Sequence, residues 1–135
     1  MRVLFINSIQ MFGGGEIWLL SMMRALRKRG HRVFLLCRPA VPLEKRIKKE
    51  GFDVHTIKMK GDFDPYLIYR TWRLIRKLRI CVVCTNMDKE LRFGGLAARL
   101  AGVQAVIPRR GIDYPLKNTW TYRFAYNILV MKMIF

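Results

Sequence analysis

The feature that most constrains the fold is a regular alternation of short apolar runs with longer amphipathic segments. Five apolar runs have the length of strands buried on both faces of a sheet, at 3–6, 33–37, 54–57, 80–84 and 105–107. Residues 131–135 have the composition of a sixth strand that is just beginning. Alternation of this kind indicates a protein of the α/β class.

The connections between these runs have helical periodicity. In the first connection, Leu19, Met22, Met23 and Leu26 recur at the spacing of one helix face, and Gly30 supplies the stop. Further helices are predicted at 42–50, 65–78, 91–101 and 119–130. The buried stripe of the 65–78 helix is predicted to contain Leu67, Thr71, Leu74 and Leu78, widened by Ile68, Trp72 and Ile75.

Strands that alternate with helices of this length form right-handed parallel βαβ units with helices on both faces of the sheet. We therefore predict one α/β domain over residues 1–135, with a Rossmann-like, doubly wound parallel sheet of about six strands. In such sheets ligands bind at the carboxyl ends of the strands. The functional edge is predicted to contain the loops 7–16, 38–42, 58–64, 85–89 and 108–115.

The chain is strongly basic, with 26 Lys and Arg residues against 9 Asp and Glu residues and a net charge of +17. The basic residues come in blocks at 24–29, 45–49 and 70–79. Such a surface attracts polyanions, namely nucleic acid, acidic lipid headgroups or phosphorylated substrates. A solvated basic surface that serves only solubility is the alternative.

Three cysteines, Cys37, Cys81 and Cys84, argue against a disulfide framework and for a reducing compartment. Cys81 and Cys84 have C-x-x-C spacing, but they lie in a strand-like run and the sequence has no second ligand pair. Core packing is therefore favoured over a metal or redox site. We expect no secretory leader and no membrane-spanning helix, because no apolar stretch has the required length.

Three consecutive glycines lie between the first strand and the first helix, in MRVLFINSIQMFGGGEIW. A glycine-rich turn that opens a helix lets backbone N–H groups approach an anion, and the helix N-terminus adds partial positive charge. The spacing fits neither the dinucleotide fingerprint nor the P-loop. A flexible turn without a ligand is the alternative.

Two stretches of the chain resemble a known family. In MRVLFINSIQMFGGGEIWLLSMMRALRKRGHRVFLLC, Gly13, Gly14, Gly15 and Glu16 follow the first strand, and the Arg-Gly-His run at 29–31 precedes the second. The stretch TNMDKELRFGGLAARLAGVQAVIPRRG is similar to the segment from the fourth to the fifth strand, and YNILVMKMIF to the start of the sixth. The chain thus resembles the amino-terminal domain of GT-B glycosyltransferases of the family 4 kind, also called glycosyl transferases group 1.

The resemblance implies the acceptor-side domain of a retaining glycosyltransferase of the hexosyltransferase type. In that family the glycine loop reaches the diphosphate of a nucleotide-sugar donor, so the resemblance assigns donor-phosphate binding to Gly13, Gly14, Gly15 and Glu16. Glu16 either orients a loop amide or ligand hydroxyl, or is a first-turn acid favoured by the helix dipole. The acceptor implied is a glycolipid or a polysaccharide of the lipopolysaccharide or cell-envelope type, and no cofactor or metal is expected.

The chain departs from the family pattern in two places. We expect the carboxyl-terminal donor domain of the family to lie outside these 135 residues, in a longer chain or in another chain, and this fragment alone to be inactive. Many members carry a histidine after the fifth strand, where this chain has Pro108, Arg109, Arg110 and Gly111. No catalytic residue is therefore assigned.

Six polar residues at the functional edge are candidates for binding the acceptor or an anion. They are Asn86, Asp88, Lys89, Arg109, Arg110 and Asp113. Arginine suits this role because its guanidinium binds phosphate and carboxylate in a bidentate manner. For two of the acids there is an ordinary structural alternative, a helix cap at Asp88 and a turn at Asp113.

A second hypothesis is a basic module without catalysis that docks on a membrane or recruits a partner, such as one half of a split glycosyltransferase. The tail WTYRFAYNILVMKMIF mixes aromatic and basic residues, which is typical of a bilayer interface, or of a surface covered by a missing domain. The expected location is cytoplasmic, as a peripheral protein at the inner face of the cytoplasmic membrane. Nucleic acid is the less favoured partner, because the aromatic residues follow helical stripes.

Overall fold

The computed structural model describes residues 1–11, 13–61 and 63–109, and these residues form alternating strands and helices. The elements are β1 (Arg2–Asn7), α1 (Gly14–Lys28), β2 (Arg32–Cys37), α2 (Pro42–Lys49), β3 (Asp53–Thr56), α3 (Pro65–Leu78), β4 (Val82–Thr85), α4 (Asp88–Glu90), a π-helical segment (Leu91–Gly95), α5 (Leu96–Ala101) and β5 (Ala105–Pro108). The α/β alternation predicted from the sequence is confirmed.

The five strands form one parallel sheet in the order β3-β2-β1-β4-β5. β1 lies at its centre, with Val3 paired to Val33 of β2 on one side and to Val82 of β4 on the other. After β1, the chain adds β2 and β3 on one side of β1 and then adds β4 and β5 on the other side. Loops diverge where the strand order reverses, so β1 and β4 form the switch point at which such sheets bind ligands.

The sheet separates two apolar cores because successive β1 side chains point to opposite faces. Val3 and Phe5 pack with the cluster that contains Leu19 and Met23 of α1. Leu4 and Ile6 pack with the cluster formed by α3, the π-helical segment and α5. Helices therefore cover both faces, as the doubly wound interpretation predicts.

The helix predicted at 91–101 differs from the observed one. The helical segment begins at Asp88, and its middle, Leu91–Gly95, is π-helical. Gly94 lies against β1, since a Cβ built there would be 2.6 Å from Cδ1 of Ile6. The absent side chain thus lets this segment approach the sheet closely. The predicted helix 119–130 and sixth strand 131–135 lie outside the described residues.

The buried stripe of α3 also differs from the predicted one. Leu67, Thr71 and Ile75 are buried, whereas Leu74 and Leu78 are only partly buried. The reason lies in the sheet order, because β3 is an edge strand and Leu74 lines an open groove beside it. Leu78 is the last residue of the helix, directly before the left-handed Arg79.

Candidate functional site

The turn between β1 and α1 is fixed by buried polar side chains. Glu16 is only 2% exposed; its Oε2 accepts a 2.8 Å hydrogen bond from the Gly13 amide, and its Oε1 accepts one of 3.1 Å from Asn7 Nδ2. Asn7 Oδ1 in turn accepts a 2.8 Å hydrogen bond from the amide of Ile9. Glu16 thus binds a loop amide and is also an acid in the first turn of α1, so the structure does not separate these two interpretations.

The amides of Gly14 and Gly15 form the N-terminus of α1. Helix geometry leaves the first N–H groups of a helix without partners. The Gly13 amide is taken by Glu16, but within residues 1–11, 13–61 and 63–109 no acceptor is hydrogen-bonded to the amides of Gly14 and Gly15. Two donors therefore remain for an anion, at the positive end of the helix dipole.

Backbone conformation does not explain the three glycines, because none of them has a positive φ. A Cβ built at Gly14 meets no atom within 4 Å. A Cβ built at Gly15 would lie 3.4 Å from both Arg109 Nη1 and Asn86 Nδ2. The absence of a side chain therefore keeps space open at Gly14 and permits close packing at Gly15.

Arg109 and Asn86 complete this corner of the sheet edge. Arg109 Nη1 donates a 2.8 Å hydrogen bond to Asn86 Oδ1, and its guanidinium carbon lies 4.4 Å from the centre of the Trp18 ring. Its amide donates to the carbonyl of Thr85 at the end of β4. A fixed cation thus stands beside the free amides of α1, an arrangement that suits an anionic ligand.

The structure brings together only some of the candidate residues. Gly15, Asn86 and Arg109 are adjacent, whereas Lys89 is half-buried in α4 and no hydrogen bond between described residues joins it to them. The side chain of Asp88 lies outside the described residues. Arg110 and Asp113 lie outside them entirely.

Glu90 is a functional-edge residue that the sequence analysis missed. It is fully buried, and its Oε1 accepts hydrogen bonds from the amide and the hydroxyl of Ser8, at 2.6 and 2.9 Å. Burial raises the pKa of its carboxyl group, and the hydrogen bonds from Ser8 oppose that rise. The sequence did contain one indication that Glu90 is buried. It lies on the same helical stripe as Gly94, Ala97 and Ala98, which face the core.

No group of three or more His, Cys, Asp or Glu residues within the described ranges could hold a metal ion. Burial raises the pKa values of Cys37 and Cys84 to about 12, so both thiols stay protonated at neutral pH. Within those same ranges, every helix is too short or too polar to cross a bilayer.

Comparison with known proteins identifies the family. The sequence matches Glycosyltransferase Family 4 over residues 12–132. A curated relative is the UDP-N-acetylglucosamine--N-acetylmuramyl-(pentapeptide) pyrophosphoryl-undecaprenol N-acetylglucosamine transferase of Neisseria meningitidis serogroup C. It is 32% identical over an alignment of 132 residues, and the alignment covers 86% of this chain and 37% of the relative.

Solved structures share the fold. A glycosyltransferase from Rickettsia africae superimposes with a TM-score of 0.76 and 17% identity, covering 95% of this chain and 34% of that one. MurG of Acinetobacter baumannii superimposes with a TM-score of 0.69 and 18% identity, covering 94% of this chain and 39% of that one. Both are GT-B proteins, and the match is to a Rossmann-like domain.

The chain spans 37% of the length of the curated relative that it matches. Within that span, the family match includes the three glycines, Glu16, Asn86 and Arg109. The chain therefore belongs to Glycosyltransferase Family 4, and its fold is that of a Rossmann-like domain of the GT-B glycosyltransferases.

Proposed function

We propose that this domain is the acceptor side of a glycosyltransferase that transfers a hexose-type sugar from a UDP-sugar to a lipid-linked acceptor. The observation that carries the proposal is the pair of free amides at Gly14 and Gly15 beside Arg109, at the switch point of the sheet. The name of the curated relative supports both substrates, since it specifies a UDP-linked sugar and a pyrophosphoryl-undecaprenol acceptor.

In this proposal the amides and Arg109 bind the donor diphosphate. Negative charge develops on the diphosphate as the bond to the sugar breaks, and fixed donors stabilise that charge without reorganising. Glu16 holds the turn so that the Gly14 and Gly15 amides stay in place, and the bare Gly14 leaves room for the ligand. Fixed amides and a guanidinium supply this stabilisation without a metal ion.

The remaining parts of the proposal come from the family resemblance. We propose that the domain acts with a donor-binding domain, in the same chain or another, and that the sugar is transferred with retention of its anomeric configuration. Cell-envelope material, of the peptidoglycan-precursor or lipopolysaccharide kind, is the proposed product class. The proposed place of work is the cytoplasmic face of the inner membrane.

The test is transfer of labelled sugar by the complete transferase. The enzyme would be incubated with labelled UDP-sugars and a bacterial lipid extract, and the organic phase would be counted. Label in the lipid phase is the expected result. If no UDP-sugar gives labelled lipid while the protein still binds acidic vesicles, the non-catalytic docking module replaces the transferase.

Arg109→Gln is expected to lower kcat/KM for the donor by about 10- to 100-fold, because a charge-assisted hydrogen bond contributes about 1.5–3 kcal/mol. Steady-state kinetics with varied UDP-sugar measure this effect. Arg99→Gln, an exposed site on α5, is the matched control and should leave kcat/KM within about twofold of the wild type. Equal losses in the two variants would contradict the proposed role of Arg109.

The exposed face of α3 is the proposed contact with an anionic membrane. It presents Tyr66 and Tyr69, which are 60% and 51% exposed, beside Arg70 and Arg73. Tyrosine next to basic residues suits the headgroup region, where each basic side chain near an anionic leaflet contributes about 1 kcal/mol.

Arg70→Gln/Arg73→Gln is therefore expected to weaken binding to phosphatidylglycerol vesicles by about tenfold or more. Co-sedimentation at low and moderate salt measures it, and Lys28→Gln/Lys49→Gln removes the same charge at other exposed sites. If both double variants lose vesicle binding equally, the total charge of the protein and not this face of α3 determines the binding. Tight binding of the protein to oligonucleotides, without binding to acidic vesicles, would favour nucleic acid as the partner.

A further inference from the structure

A second cationic cavity lies at the same edge of the sheet. It has a volume of about 410 Å³ and is lined by Gln10 of the β1–α1 loop, 38–41 after β2 and 58–60 after β3. Asn86 and Arg109 follow β4 and β5, on the other side of β1 in the sheet. The cavity and the Gly14–Arg109 corner therefore flank the β1–α1 loop from opposite sides.

Three cations line this cavity, namely Arg38, Lys58 and Lys60. None of them forms a salt bridge with another described residue, and no carboxylate is among the described residues of the lining. Two cations on the helices do have a carboxylate partner, since Arg24 pairs with Glu50 and Lys48 with Glu44. Converging cations without a counter-charge leave net positive potential inside a concave site.

The wall of the cavity is held in place by specific contacts. Arg38 Nε donates a 2.5 Å hydrogen bond to the carbonyl of Ser8, the residue that Glu90 also binds. Ala40 has a φ of 60°, a left-handed conformation that is costly for a residue with a side chain, and its amide donates to Glu44 Oε2 at 2.8 Å. The charge of Glu44 is already matched by Lys48, so it does not neutralise the cavity.

We propose that this cavity binds the phosphate or diphosphate group of the acceptor, an inference that rests on the proposed function. An acceptor held here and a donor held at Gly14 and Arg109 would approach each other across the β1–α1 loop. A cavity of this size admits a diphosphate, since ligand pockets begin at about 300 Å³. The substrate class is an amphiphile whose headgroup carries phosphate next to the sugar-accepting group.

Lys58→Gln/Lys60→Gln is the main test variant, because both side chains are exposed and their loss should not prevent folding. Arg38→Gln is the second variant, and Lys28→Gln/Lys49→Gln is the control with the same change of charge. Lys28 and Lys49 end their helices, which places them at the opposite edge of the sheet. All variants would be made in the complete protein.

The first measurement is calorimetric binding of inorganic pyrophosphate at low salt. It is made in the Arg109→Gln background, so that the proposed donor site at Gly14 and Arg109 binds little of the pyrophosphate. The affinity should fall about tenfold in the test variants and remain unchanged in the control. Equal affinities in test and control variants would overturn the proposal. This measurement needs no sugar transfer, so it stays informative if the proposed function itself fails.

The second measurement distinguishes binding of the acceptor phosphate in the cavity from general attraction of the protein to a charged bilayer. In transfer assays the KM for the lipid acceptor should rise about tenfold in the test variants, while the KM for the UDP-sugar and the binding to phosphatidylglycerol vesicles stay unchanged. If the test variants lose vesicle binding but keep pyrophosphate affinity, the cavity acts by attraction to the membrane and the proposal is wrong. A rise in the donor KM alone would also contradict it.

Discussion

In the complete transferase, Gly14→Val is expected to lower kcat/KM by about 100-fold or more while the free energy of unfolding changes by less than about 1 kcal/mol. A Cβ at Gly14 meets no protein atom within 4 Å, and its φ is not positive, so the fold accommodates a side chain there. The added methyl groups would instead occupy the space in front of the free amides. Sugar-transfer kinetics and urea denaturation measure the two effects.

Ser21→Val is the matched control because it places the same side chain at an exposed position of the same helix. It should carry the intrinsic cost of valine in a helix, which is below about 1 kcal/mol, without a loss of activity. Near-normal turnover by Gly14→Val would show that the donor does not approach this amide. A large loss of stability in that variant would show that the space serves folding instead.

The strands and the parallel sheet could be predicted because both follow from local pattern. The apolar run from Val3 to Ile6 suits a strand buried on both faces, and helical connections make the neighbouring strands parallel. The glycine turn was also located correctly, since it lies between this strand and the helix that begins at Gly14. The resemblance assigned all three glycines to the donor phosphate, whereas in the structure Gly13 donates to Glu16, Gly14 faces open space and Gly15 packs against Arg109.

What the sequence did not reveal depends on contacts between distant residues. Ser8 and Glu90 are 82 positions apart, and only the β1–β4 pairing brings them together. Arg38 lies in a loop that was assigned to the functional edge, yet its bond to Ser8 follows from the β1–β2 pairing. Residues of this kind have no local signature, because an isolated acid or arginine is most often solvated.

Glu90 therefore leads to the prediction with the largest effect on stability. Glu90→Ala removes the acceptor for two Ser8 donors and leaves a cavity in a fully buried site. We expect the free energy of unfolding to fall by about 2–4 kcal/mol near pH 4, and by less as the pH rises through the folded-state pKa of Glu90, which burial raises. Urea denaturation between pH 4 and 8 measures it, and Lys89→Ala, the half-buried neighbour, is the control.

Glu90→Gln separates the hydrogen bonds from the charge. Glutamine keeps an acceptor for Ser8 but cannot ionise. Burial raises the folded-state pKa of Glu90 above its ordinary value of 4.5, so the folded protein holds this proton more tightly than the unfolded chain. The contribution of Glu90 to stability is therefore complete below pH 4.5 and is lost as the pH rises through the folded-state pKa.

The glutamine variant should thus match the wild type near pH 4 and become the more stable protein as the pH rises. The difference between the two proteins is the quantity to plot, since it cancels the opposite trends of Glu44 and Glu50, whose pKa values are lowered by ion pairs. If the free energies of unfolding of the two proteins change with pH in parallel, Glu90 does not change its proton affinity on folding. A glutamine variant as unstable as Glu90→Ala would mean that the Ser8 bonds require the carboxyl group itself. If the curves diverge as expected, the β1–α1 loop is held by an acceptor oxygen, and the negative charge of Glu90 opposes folding above its folded-state pKa.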